Sequence, residues 1–149
     1  MKVAIGCDPN AKALKDILAK VITDSGHQLV DMGGEDPIYA NTAFTVAEAV
    51  SKNECDRGVL LCGTGIGMSL AANKVPGAYA ALCSDIYSVE RSVLSNNANI
   101  LCLGAFTLGV ECAKMFLRRW LELEYIPGGR SEPKIQGIYK IEKEFQKQH

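Results

Sequence analysis

The sequence predicts a three-layer α/β fold built around a parallel sheet of five strands. Short apolar runs alternate with helical patterns along the whole chain, the rhythm of consecutive β-α-β units. The runs are continuously apolar rather than alternating in and out, as strands covered by helices on both faces are. No linker, internal repeat or low-complexity stretch interrupts the rhythm, so residues 1–149 read as one domain.

The first strand is KVAIGC (2–7). Asp8 then offers a helix N-cap and Pro9 suits the first helical position; Leu14, Ile17, Leu18, Val21 and Ile22 form one apolar stripe, which Ser25-Gly26 ends. HQLVDMG (27–33) is the second strand, and a helix from about Asn41 turns Ala43, Val46, Ala47 and Val50 inward. RGVLLC (57–62) is the third strand, with a helix over about 66–74 behind it. AYAALC (78–83) is the fourth, followed by a helix after Ser84; NILCLG (99–104) is the fifth, followed by a helix over about 108–123 carrying Met115, Leu117 and Trp120. A last amphipathic helix from about Pro133 carries Ile135, Ile138, Ile141 and Phe145 on one side. The arrangement is Rossmann-like, and in such sheets ligands bind at the carboxyl ends of the strands. Those ends supply Cys7-Asp8, Gly33-Gly34, Cys62-Gly63-Thr64, Cys83-Ser84-Asp85 and Gly104-Ala105.

Composition narrows the function. A hydrophobic fraction of 48% with 22% charged residues is ordinary for a soluble globular chain. A net charge of -1 leaves no electrostatic footprint for nucleic acid or an acidic membrane surface. No apolar run approaches the roughly 20 residues that span a bilayer, and MKVAIGCD passes straight into a strand without a secretion signal. The six cysteines are scattered, with no C-x-x-C pair and no histidine-containing cluster. Reduced thiols in a cytoplasmic protein without a metal site are the expectation. Cys7, Cys83, Cys102 and Cys112 read as small buried hydrophobes.

The stretch LLCGTGIGMSLAANK (60–74) carries the chemistry. Its glycines spell G-x-G-x-G, with Met68 where a dinucleotide fingerprint needs a third glycine, and they follow the third strand rather than the first. No G-K-[ST] occurs, which excludes a phosphate-binding P-loop. Closely spaced glycines at a strand-to-helix junction let backbone approach a ligand and turn several N–H groups outward, which makes an anion site. Cys62 stands immediately before it, at the positive end of the following helix, where thiolate is favoured.

VAIGCD (3–8), DRGVLLCGTGIGMSLAANKVPG (56–77), NNANILCLGA (96–105) and YIPGGR (125–130) together resemble the ribose-5-phosphate isomerase B family of sugar-phosphate isomerases, which includes the galactose-6-phosphate isomerase subunits. The resemblance covers nearly the whole chain. It implies a cofactor-free aldose–ketose isomerisation of a small sugar phosphate through a cis-enediolate. Cys62 is the matching proton-transfer base, the amides of Gly63, Gly65, Ile66 and Gly67 face the enediolate, and Thr64 assists near the reacting hydroxyls. Asp8, Tyr39 and Asn96 match sugar-contacting positions, and Arg130 matches the first arginine of a phosphate-holding G-G-R-H-x-x-R motif, with Lys134 at its second. Read alone, Asp8 is equally a helix cap, Tyr39 a surface aromatic and Arg130 a solvated loop charge. Members are at least dimers with sites shared between subunits, so a homodimer or dimer of dimers is expected, its last helix (about 133–147) on a partner.

The departures are Pro9, Ser95 and Ser131 at histidine positions, and Tyr79, Phe106 and Lys134 at arginine positions. The histidine replaced by Ser95 is credited in the family with opening the furanose ring. A serine hydroxyl has no pKa near neutrality, so a substrate that stays open-chain, such as a tetrose phosphate, or one whose ring opens unaided, is favoured over ribose 5-phosphate. Lys134 offers a point charge where an arginine would bind bidentately, which points to a weaker phosphate hold or a non-phosphorylated sugar. A subunit of a hetero-oligomeric isomerase and a non-catalytic sugar-phosphate-binding module are the alternatives at this point.

Overall fold

The computed structural model describes residues 1–149. In chain order the strands are β1 (Lys2–Cys7), β2 (Gln28–Asp31), β3 (Arg57–Cys62), β4 (Ala80–Leu82) and β5 (Ile100–Gly104). The helices are α1 (Lys12–Asp24), α2 (Tyr39–Ser51), α3 (Ile66–Ala72), α4 (Ile86–Leu94), α5 (Val110–Glu122) and α6 (Glu132–Gln148). All neighbouring strands are parallel, in the order β2-β1-β3-β5-β4. The predicted five-stranded parallel sheet is therefore present, with β3 at its centre.

Side chains leave the strands alternately, so the sheet separates two cores. Val3, Ile5, Val59, Leu61, Leu101 and Leu103 pack with Leu14, Leu18 and Ile22 of α1, Val89 and Val93 of α4, and Leu117 and Trp120 of α5. Ala4, Leu60, Cys62, Ile100 and Cys102 pack with Ala43, Val46 and Val50 of α2 and Met68 and Ala72 of α3. The continuous apolar runs are thus the signature of strands with a covered face on each side.

Several boundaries differ from the sequence expectation. Asp8 caps a 3-10 turn (Pro9–Ala11), and α1 proper begins at Lys12. The helix expected from Asn41 starts at Tyr39, and β2 and β4 are shorter than the apolar runs that announced them. On α5 the buried stripe is Ala113, Phe116, Leu117, Trp120 and Leu121; Met115 lies outside it, half exposed. Cys112 is exposed, not buried, while the other cysteines are buried. Ile17 sits at the edge of the α1 stripe and is exposed. On α6 only Ile135 is buried; Ile138, Ile141 and Phe145 face outward.

Two ties matter for the site. Arg57, at the start of β3, lays its guanidinium 4.8 Å from the Trp120 ring centre and donates to the carbonyls of Trp120 (2.6 Å) and Leu123 (2.5 Å). A cation there satisfies the last carbonyls of α5 and complements its dipole. Helix α6 is tied down by Glu142, which accepts from the Tyr79 hydroxyl (2.7 Å) and the Gly77 N–H (3.1 Å), and by Tyr139, whose hydroxyl accepts from Asn97 Nδ2 (3.2 Å).

Candidate active site

After β1 the chain crosses to β2 on one side of the sheet; after β3 it crosses towards β4 and β5 on the other. Connections that part in this way open a crevice at the carboxyl ends of the two strands between them, here β1 and β3. Asp8 and Cys62 stand at those ends, and the Asp8 N–H donates to the Leu61 carbonyl at 3.1 Å. Asp8 is buried, and its carboxylate accepts from the Asn10 N–H (3.0 Å) and Asn10 Nδ2 (3.3 Å). The capping role is therefore realised at the crevice edge.

Cys62 is 6% exposed, at the inner end of the crevice. Its Sγ accepts from the Gly65 N–H at 3.1 Å. Gly65 makes this contact because the backbone there is left-handed, at φ 81°. A side chain at 65 would also run into the Leu103 backbone, 3.0 Å from where its Cβ would stand. The next N–H, of Ile66, donates to Thr64 Oγ1 at 3.2 Å, which leaves the Thr64 hydroxyl proton free to donate outward. The N–H groups of Gly63, Thr64 and Gly67 have no partner within the chain. The loop therefore holds the sulfur with one amide and leaves three others unpaired.

Two aromatic rings bracket this loop. A Cβ on Gly67 would lie 2.5 Å from the Tyr39 ring, and one on Gly63 would lie 2.9 Å from the Phe106 ring. Both rings thus rest on bare glycine backbone, and the Phe106 N–H donates to the Gly63 carbonyl at 2.9 Å. Tyr39 joins Cys62, Thr64 and the glycines in one place.

The remaining residues gather elsewhere. Ser95 closes the C-terminus of α4, and its Oγ accepts from Arg91 Nη1 at 3.3 Å. Ser95, Arg91, Arg130, Leu94, Tyr125 and Ser131 line a cavity of about 210 Å³. An adjoining cleft is lined by Arg91, Asn96, Cys83 and Leu82. Neither Cys62 nor the glycine loop lines these clefts. Leu82 is the nearest link, since it also lies 2.6 Å from where a Gly65 Cβ would stand. Lys134, exposed on the first turn of α6, does not line the Arg130 cavity. Arg91 is the residue that sequence reasoning overlooked. The available signal was its position four before Ser95 on a helix, which puts both on one face.

No three His, Cys, Asp or Glu side chains converge as a metal-ligand group. No helix is long and apolar enough to cross a membrane.

An open parallel sheet with a strand-end thiol and a loop of unpaired amides is the architecture of an α/β protein with a candidate ligand site at the carboxyl edge. Comparison with known proteins makes the class specific. The chain belongs to the Ribose/Galactose Isomerase family, whose sequence model matches residues 3–138. By that membership it is an aldose–ketose isomerase. It is 41% identical to the D-erythrulose-4-phosphate isomerase of Pectobacterium atrosepticum, over 98% of this chain and 99% of that one. It is 40% identical to D-erythrulose-4-phosphate isomerase 2 of Mycolicibacterium smegmatis, over 95% and 97%. The Clostridium thermocellum Ribose-5-Phosphate Isomerase B structure superposes with a TM-score of 0.91 at 40% identity, over 97% of this chain and 99% of that one. These findings agree with the fold and family expected from the sequence.

Proposed function

We propose that the chain interconverts the aldose and ketose forms of a four-carbon sugar phosphate, with Cys62 as the proton-transfer base and no cofactor. In the forward direction the Cys62 thiolate takes the C2 proton of the aldose. The C2–H electron pair forms the C1–C2 double bond while the carbonyl π pair moves to O1, giving a cis-enediolate. The thiol returns the proton to C1, O2 loses its proton and becomes the ketone, and O1 ends as a hydroxyl. The open N–H groups of Gly63, Thr64 and Gly67 face the developing oxyanions, the interaction that lowers such barriers most. The Thr64 hydroxyl and Tyr39 contact the sugar oxygens, Asp8 shapes the crevice floor, Ser95 and Asn96 bind the far hydroxyls, and Arg130 holds the phosphate, with Lys134 adding charge nearby.

Ser95 carries the choice of substrate. A tetrose 4-phosphate cannot close a furanose ring, because the oxygen that would close it is esterified. Its isomerase needs no ring-opening imidazole, and none stands at position 95. The names borne by the Pectobacterium and Mycolicibacterium relatives support the same reading.

The Cys62 loop does not line the Ser95–Arg130 cavity of its own chain, and Ile138, Ile141 and Phe145 of α6 are uncovered. Both features support a homodimer, or a dimer of dimers, in which one subunit supplies the thiol loop and its partner the Ser95–Arg130 cluster, with α6 in the interface.

The test is a panel of tetrose, pentose and hexose phosphates assayed with wild type, Cys62→Ala and Ser95→His. Turnover is expected to be fastest on the tetrose, cut by about 10²–10⁴ by Cys62→Ala, and extended towards ribose 5-phosphate by Ser95→His. Efficient ribose 5-phosphate turnover that Ser95→His does not improve would sink the substrate assignment. Activity of the purified chain alone distinguishes it from a subunit needing a different partner.

A further inference from the structure

Arginine has five N–H donors and no acceptor, so the fate of each arginine can be followed through its partners. Arg57 spends its donors on the end of α5. Arg119 pairs with Glu90 at 2.9 Å and with Glu122 at 3.5 Å. Arg91 is different. It is half-buried in the last turn of α4, forms no ion pair with any carboxylate, and its buried Nε has no hydrogen-bond partner. Its neighbour Glu90, which could have neutralised it, is taken by Arg119. The one polar contact of its guanidinium is the long bond to Ser95 Oγ, 3.3 Å, and the Tyr87 ring flanks it with a centroid distance of 6.0 Å. A partly desolvated cation left with free donors is costly unless something anionic completes it.

The place where those donors point contains a second cation. Arg91 and Arg130 line the same cavity of about 210 Å³, with Ser95, Ser131 and Tyr125 as its other polar side chains; no acidic residue is in its wall, and the Tyr125 hydroxyl donates to Glu132 outside it. That volume has room for several water-sized groups at ~30 Å³ each, enough for a phosphate.

We propose that Arg91 is a substrate-binding residue: with Arg130 it forms a two-guanidinium cradle for the terminal oxyanion of the substrate, and it holds Ser95 as a hydroxyl donor at the cradle's edge. The claim rests on the sugar-phosphate reading above and adds a second cation in the cavity wall itself, of which Lys134 is not a part. Because Arg91 only donates, Ser95 Oγ must accept, and the Ser95 hydroxyl proton is left for an ester or sugar oxygen.

The experiment is calorimetric titration of inorganic phosphate and of erythrose 4-phosphate into wild type, Arg91→Met, Arg91→Lys and Arg130→Met, alongside KM and kcat on the tetrose phosphate. Arg91→Met is expected to weaken both ligands by about tenfold or more, the loss of a charge-assisted hydrogen-bonding partner. KM should rise by more than kcat falls, and Arg91→Lys should recover part of the affinity. Arg91→Lys, together with a thermal melt of each variant, separates loss of binding from loss of fold. The proposal is overturned if Arg91→Met and Arg91→Lys, both folded, bind phosphate and erythrose 4-phosphate as wild type does. Arg91-dependent phosphate binding by a wild type that turns over no sugar phosphate would uphold the cradle while removing the isomerase substrate assigned above. Normal tetrose turnover with no effect of Arg91 would remove only the cradle.

Discussion

Replacing Gly65 by alanine separates backbone strain from packing at the centre of the site. The residue sits at φ +81°, where an L side chain costs about 1–2 kcal/mol. Its Cβ would stand 2.6 Å from Leu82 Cδ1 and 3.0 Å from the Leu103 carbonyl carbon. The leucine side chain can rotate away. Leu103 cannot retreat, because its backbone is paired with Leu61 in the β3–β5 ladder. Forcing the overlap adds about 1–3 kcal/mol. Gly26 provides the control, with φ +86° and nothing within 4 Å of its would-be Cβ, so Gly26→Ala measures the backbone cost alone. The expected losses are about 2–5 kcal/mol for Gly65→Ala and about 1–2 kcal/mol for Gly26→Ala. For a chain of this size those values lower Tm by roughly 2–4 °C per kcal/mol, read by calorimetry and urea titration. Gly65→Ala should also reduce kcat, since the N–H that holds Cys62 Sγ moves with the loop, whereas Gly26→Ala should not. If Gly65→Ala costs no more stability than Gly26→Ala and leaves kcat intact, the close approach and its link to the sulfur are both wrong.

Cys62→Ala should cut kcat by about 10²–10⁴ while shifting Tm by only a few degrees, a split that a merely structural thiol would not show. Trp120→Ala removes a fully buried ring that Arg57 covers, and should cost about 3–5 kcal/mol in urea unfolding. Burial pushes the Cys7 and Cys83 thiols up to about 11 from an ordinary 9.0. Each raised value means that the folded state holds its proton more tightly than the unfolded chain. The contribution is complete below about pH 9 and is lost as pH rises towards 11, so stability should fall over that window and fall less steeply in Cys83→Ala. An unchanged alkaline limb in that variant would contradict the burial argument.

How much the sequence disclosed depended on what its pattern could encode. Continuous apolar runs reported strands with two covered faces, and all five were found. A glycine series directly after an apolar run marked the loop, because only bare backbone admits the Tyr39 and Phe106 rings so closely. Helical period was less exact at the margins. Met115 and Cys112 are apolar neighbours of the α5 stripe, but the stripe itself runs 113, 116, 117, 120, 121 and leaves them outside. The apolar face of α6 was legible, while its cover was not, since a pattern states that a surface is greasy and not what meets it. The unpaired N–H groups of Gly63, Thr64 and Gly67 required coordinates, because sequence cannot tell which amides a loop spends on itself. Arg91 was passed over because sequence does not show which charges lack a partner, and its lack of a carboxylate required coordinates.

Strand β3 is flanked by β1 and β5 on both sides, whereas β4, which leads into α4, is the outermost strand. The sulfur proposed to react therefore hangs from a strand paired along both edges, and Arg91, Ser95 and Asn96 hang from the rim of the sheet. Changes on the rim disturb few ladder bonds. A lineage built this way can retune which sugar it accepts, residue by residue, while leaving its proton-moving apparatus untouched.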